Sequence, residues 1–189
     1  MSDIRSLFGT LHDCGGSDYL GEQVTQLEHA LQCAAMAEAE GQGPAVVLAA
    51  LFHDIGHLIH TAEADALPEG LGQADHEQIG ADLLREAGMP ELTCFLVASH
   101  VAAKRYLCLR DPSYLSGLSD ASRKTLGYQG GPMHEQEALI LEAKIEWTLA
   151  VRLRRWDDAA KVKDAICPPL SHYESMAEKY LGQLADKHV

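Results

Sequence analysis

The sequence predicts an all-α fold, a single helical domain of 189 residues. Three observations predict it. Apolar residues recur at helical spacing, as Leu27, Ala30, Leu31, Ala34 and Ala35 do. Glycine and proline punctuate the chain about once per helix length. No segment alternates apolar and polar residues with β-branched enrichment, so strands are minor or absent. The first strong helix spans about 25–40 and stops at Gly41. Pro44 opens the next, about 45–59, which is apolar on most sides and therefore central. A third covers about 74–87 and closes on Gly88, and Pro90 begins a fourth that reaches about 109. Pro112 starts a shorter helical stretch through 126, ended by Gly130-Gly131-Pro132. Helices over about 134–160 and 171–185 complete the chain.

A domain of this length buries about 70% of the surface its unfolded chain exposes, so its core needs no covalent staples. The cysteines agree: five of them, scattered and never in a Cys-x-x-Cys pair, read as reduced thiols of a cytoplasmic protein. Residues 1–16 lack a basic stretch followed by an apolar one, so no secretory signal is expected. The longest apolar run, 45–52, is too short to cross a bilayer, so no membrane partner is expected. A formal net charge of −13 argues against nucleic acid as a partner, because Lys and Arg supply affinity for a phosphate backbone. Monomer is the default for the oligomeric state.

The chemistry lies in ten histidines set among 28 carboxylates. His53-Asp54-Ile55-Gly56-His57 falls in the second helix, where adjacent side chains sit about 100° apart, so His53 and Asp54 can both approach one ion. Neighbouring helices also present histidines on or beside their apolar faces: His29, His76, and His100 between Val97 and Val101. Buried, unpaired imidazoles and carboxylates are costly unless they satisfy one another or a metal. A mixed nitrogen and oxygen donor set suits iron, manganese or zinc better than calcium. Asp157 and Asp158 both stand late in the chain as candidate carboxylates, and helical phase does not separate them. His60 and His134 read as surface or supporting groups, and His12, His172 and His188 as uninvolved.

This order of histidines and aspartates on successive helices resembles the HD-domain superfamily over nearly the whole chain. The resemblance implies six metal ligands, His29, His53, Asp54, His76, His100 and a late aspartate, holding two ions bridged by Asp54. The oxygenase branch carries Asp-x-x-x-Lys at the last position, which Asp157 and Lys161 fit. His57 and Lys104 each lie one turn beyond a ligand, and Arg154 lies three residues before Asp157. With the Ser122 hydroxyl these three basic groups form an anion pocket that suits a phosphonate or phosphate.

Further stretches narrow the resemblance. Gly15-Gly16-Ser17-Asp18-Tyr19-Leu20-Gly21-Glu22, Val24-Thr25-Gln26-Leu27-Glu28-His29, Lys104-Arg105-Tyr106-Leu107, Gln129-Gly130-Gly131-Pro132-Met133 and Leu153-Arg154-Arg155-Trp156-Asp157 are similar to the HD-domain mixed-valence diiron oxygenases of phosphonate catabolism. That resemblance implies an Fe(II)/Fe(III) pair with dioxygen as co-substrate and a small organophosphonate as substrate. The implied reaction is a four-electron oxidation that breaks the C–P bond of a 1-hydroxy-2-aminoethylphosphonate, giving phosphate and glycine. A trimethylammonio substrate would give glycine betaine instead. A dinuclear phosphohydrolase shares every ligand and is the alternative. By the same resemblance His57, Lys104, Ser122 and Arg154 hold the phosphonate, Tyr19 occupies an open iron position until substrate displaces it, and Glu22 lies near the substrate nitrogen.

Overall fold

The structure, a computed structural model, describes residues 3–19, 21–59 and 73–186. His60 and His188 lie outside the described residues. Within them the chain is all-α, with one isolated antiparallel bridge between Asp18 and Thr25. An N-terminal helix not anticipated from sequence, α1 (Ile4–Cys14), is capped by the Asp3 side chain and buries Ile4, Leu7, Phe8 and Leu11. Phe8 meets Phe52 edge-to-face at 5.0 Å. That spacing is helical in the sequence, and only the core partner reveals its use.

Helix α2 (Gln26–Ala39) starts from a capping box in which Thr25 and Glu28 satisfy each other's backbone N–H groups. Helix α3 (Pro44–Phe52) is buried from Val46 through Phe52 and packs against α2. The expected helix over 45–59 is broken: α3 ends at Phe52, Asp54 leaves helical geometry, and a 3-10 turn covers Ile55–Leu58. Close packing accompanies the break. A Cβ on Gly56 would meet the carbonyl oxygen of His76 at 2.1 Å, so only glycine lets the turn lie against the start of the next helix.

Helix α4 (His76–Glu86) pairs with α5 (Glu91–Arg110), which also packs on α3. Among the described residues α5 alone has the length and hydropathy of a membrane span, although its apolar runs are interrupted by polar residues. It is a core helix, and it carries the buried His100 and Lys104. The stretch after Pro112 is two helices, α6 (Pro112–Gly117) and α7 (Asp120–Tyr128), the second capped by Ser119. The long helix expected over 134–160 is likewise two, α8 (Glu135–Glu142) and α9 (Trp147–Ala159). The turn between them leaves Ile145 exposed and re-phases the chain, so that Trp147 is buried edge-on to Tyr106. Helix α10 (Leu170–Asp186) closes over α1 and α3. Helices α2, α3, α5 and α9 thus form the core around one polar interior, with α4 attached through α5.

Candidate metal centre

Each helix of the core sends a donor inward. His29 sits one turn into the capped α2, His53 at the end of α3, Asp54 in the break, His76 at the start of α4, His100 in mid-α5 and Asp157 in the last turn of α9. The four imidazoles and Asp157 are buried. The Nδ1 atoms are all engaged by main-chain carbonyls: His29 with Ala160 at 2.9 Å, His53 with Ala50 at 2.9 Å, His76 with Gln73 at 3.2 Å, and His100 with Val97 at 2.7 Å. A carbonyl only accepts, so each ring carries its hydrogen on Nδ1 and turns a lone pair inward from Nε2.

Those lone pairs meet in twos. His29 and His53 face each other at 3.1 Å between Nε2 atoms, and so do His76 and His100. Two lone pairs repel at that distance unless a cation lies between them. Donors bound to one transition metal at about 2.0–2.2 Å sit roughly 2.9–3.4 Å apart, so the separation fits an ion in each gap. Asp54 lies between the pairs, with Oδ1 3.3 Å from both His76 and His100. Its Oδ2 is 3.3 Å from His53 and 3.8 Å from His29. Asp157 Oδ1 completes the first pair at 3.5 Å from His29 and 3.9 Å from His53. The donor set therefore divides into four atoms on one side and three on the other.

Asp158 is turned away from this centre. Its carboxylate accepts from Arg154 and from the Tyr114 hydroxyl, the latter at 2.6 Å. Arg154 also donates to Asp157 Oδ2 at 2.6 Å and to Tyr114 at 3.0 Å, so one buried guanidinium sorts the two adjacent aspartates.

A cavity of about 30 Å³ opens on the His76–His100 side, between Tyr19, Asp54 and Asp157. His57, Lys104, Ser122 and Arg154 all line it, as do Glu22, Gln129 and Lys161. His57 arrives by the 3-10 turn rather than along a continuous helix, and stacks on His76 at 3.7 Å. Its Nδ1 accepts the main-chain N–H of Gln73 at 2.9 Å, which leaves the hydrogen on Nε2. Burial and the neighbouring His76 push its pKa well down, so it stays a neutral donor. Lys104 donates to Thr125 at 2.9 Å, and burial, reinforced by Arg154, pushes its ammonium down to about 7. The Tyr19 hydroxyl donates to Asp54 Oδ2 at 2.9 Å and lies 3.4 Å from Asp157 Oδ1, with its ring stacked on His29. Burial, with the two carboxylates, raises its pKa and keeps it protonated.

Glu22, which the resemblance sets near the substrate nitrogen, is paired with Lys161, whose ammonium donates to it at 2.9 Å. The supporting groups Thr125, Tyr114 and Ser119 had no signal in the sequence beyond their polar character. Of the remaining histidines, His134 caps α8, His172 pairs with Glu38, and His12 is exposed beside Asp13. All five cysteines are free thiols.

The HD domain family model matches residues 27–145 of this chain. A protein of Gimesia maris named hydroxymethylphosphonate dioxygenase is 41% identical over 183 residues, covering 94% of this chain and 88% of the relative. A protein of Leisingera caerulea named [1-hydroxy-2-(trimethylamino)ethyl]phosphonate dioxygenase (glycine-betaine-forming) is 38% identical over 187 residues, covering 98% and 92%. Uncharacterized protein L432 of Acanthamoeba polyphaga mimivirus is 36% identical over 183 residues, covering 97% and 84%.

Proposed function

The chain belongs to the HD-domain family, and on that premise we propose that it is a dinuclear-iron oxygenase that cleaves the C–P bond of a small 1-hydroxyalkylphosphonate with O2. The observation that carries this reading is the junction of a bridged six-residue donor set with a cavity lined by His57, Lys104, Ser122 and Arg154. Bound iron supplies one-electron redox chemistry and the activation of dioxygen.

The protein's own groups do the rest. The phosphonate takes the place beside the three-donor half-site. There Lys104 offers it an ammonium, Arg154 a fixed positive charge, His57 its Nε2–H and Ser122 a hydroxyl. Tyr19 withdraws from Asp54 as the substrate's hydroxyl and phosphonate oxygens enter. Until then the phenol covers the centre and keeps it from reacting unproductively. With 1-hydroxy-2-aminoethylphosphonate, Glu22 takes the ammonium in exchange for Lys161, and the products are glycine and phosphate. The same exchange serves a trimethylammonio substrate.

The test is to load the protein anaerobically with iron, record electron paramagnetic resonance with and without 1-hydroxy-2-aminoethylphosphonate, then admit O2 and measure phosphate. A mixed-valence signal that shifts with substrate, followed by O2 consumption with phosphate release, is expected. The substrate-free signal should also shift in Tyr19→Phe if the phenol covers the centre. Oxygen-indifferent hydrolysis of phosphate esters with manganese or cobalt would overturn the oxygenase reading.

Lys104 sets a pH dependence. A phosphonate dianion needs the protonated amine, whose free-site pKa lies near 7. Above that value kcat/KM is expected to fall about tenfold per pH unit. Lys104→Arg should remove this limb, since guanidinium stays charged. A limb unmoved in that variant would assign it to another group.

A further inference from the structure

Lys161 lies just past the end of α9, between two spaces. It lines the cavity over the metal centre and also an outer cavity of about 370 Å³ bounded by Tyr114, Leu118, Ser119 and Asp158. From there its Nζ reaches inward to Glu22 Oε1 at 2.9 Å, with Ser119 Oγ at 3.3 Å, and lies 5.9 Å from the Tyr19 ring centre. Both partners are largely shielded, with side chains 17% and 22% exposed. Among the described residues Glu22 is the carboxylate of the cavity that stands outside the donor set, and an internal ammonium already holds it.

Resting on the phosphonate-oxygenase reading, we propose that Lys161 is a built-in stand-in for a substrate cation. It sets selectivity between 1-hydroxyalkylphosphonates with and without a positive charge at C2. An entering ammonium must break the Glu22–Lys161 pair and send Lys161 toward the outer cavity. An uncharged substrate leaves the pair intact. Lys161 therefore acts as a competitor that only cationic substrates meet, and selectivity follows from that difference. Its charge also attracts the phosphonate, and more strongly with the uncharged substrate, beside which it stays in the cavity, so this contribution acts in the same direction.

The test compares 1-hydroxy-2-aminoethylphosphonate with hydroxymethylphosphonate on the iron-loaded enzyme. Two quantities are read: the ratio of kcat/KM values, and the ratio of dissociation constants measured anaerobically. Lys161→Met is expected to shift both ratios about tenfold toward the amino substrate, and Lys161→Arg to leave them within about twofold. Lys161→Gln should shift them the same way and decides the matter if Lys161→Met does not fold, while Glu22→Gln, which removes the partner of the ammonium, should shift them the other way. Ratios unmoved in Lys161→Met overturn the role of Lys161 alone, and ratios unmoved in Glu22→Gln overturn both that role and the placement of the ammonium on Glu22. A wild-type enzyme that turns over neither phosphonate overturns the oxygenase reading and this inference with it.

Discussion

Asp54→Ala is expected to lower bound metal, two irons per chain on the proposed reading, to at most one and to reduce O2-dependent phosphate release below detection. Among the described residues Asp54 is the carboxylate whose two oxygens reach both histidine pairs. Its removal deprives the His76–His100 pair of its third donor and leaves that pair two neutral nitrogens, too few to hold an ion. The His29–His53 pair keeps Asp157 and can retain one. Metal analysis of the purified variant checks this, and two irons retained would show that Asp54 does not bridge. Asp158→Ala is the control, because Asp158 faces Tyr114 and Arg154 rather than the imidazoles.

Arg154→Ala should carry the largest cost in stability. The guanidinium is 4% exposed and neutralises Asp157, itself 2% exposed, while also holding Asp158 and Tyr114. Removing one partner of a buried pair leaves the other charge uncompensated, at a cost of about 3–5 kcal/mol. The loss should be greatest in metal-free protein, where no cation replaces Arg154 beside Asp157. Urea unfolding with and without iron measures both values. Against burial, the Arg154 guanidinium holds the Asp157 carboxyl well below its usual range. A depressed folded pKa stabilises fully above the unfolded value of about 3.9 and is lost as pH falls through the folded one. That contribution should shrink in Arg154→Ala. A variant as stable as the wild type at neutral pH would mean that the aspartates find other partners.

Much of the centre is legible in the sequence because its donors fall on separate helices at positions marked by apolar neighbours. Asp157 and Asp158 are not separable that way, since adjacent residues share the edge of a helix face. Only the positions of Arg154 and Tyr114 distinguish them. The break after Phe52 is hidden because 45–59 is apolar on most sides, as a central helix would be, and Gly56 is the local sign of it. His57 shows the consequence: a helix would place it one turn from His53, and a 3-10 turn brings it to the cavity by another path. The Glu22–Lys161 pair spans 139 residues of sequence, so no local pattern announces it. The separate α1 and the division of α8 from α9 likewise depend on packing partners, Phe52 and Tyr106, far away in the chain.

The two histidine pairs are each separated by 24 residues, one from α2 and α3, the other from the α4 start and α5. They share only Asp54, and Asp157 serves the first alone. The two sides therefore differ in charge as well as in number: the α2–α3 side has a carboxylate of its own and one oxygen of Asp54, whereas the α4–α5 side has one oxygen of Asp54 alone. The cavity opens on that second side, so an anion that enters it meets the less negative face of the centre.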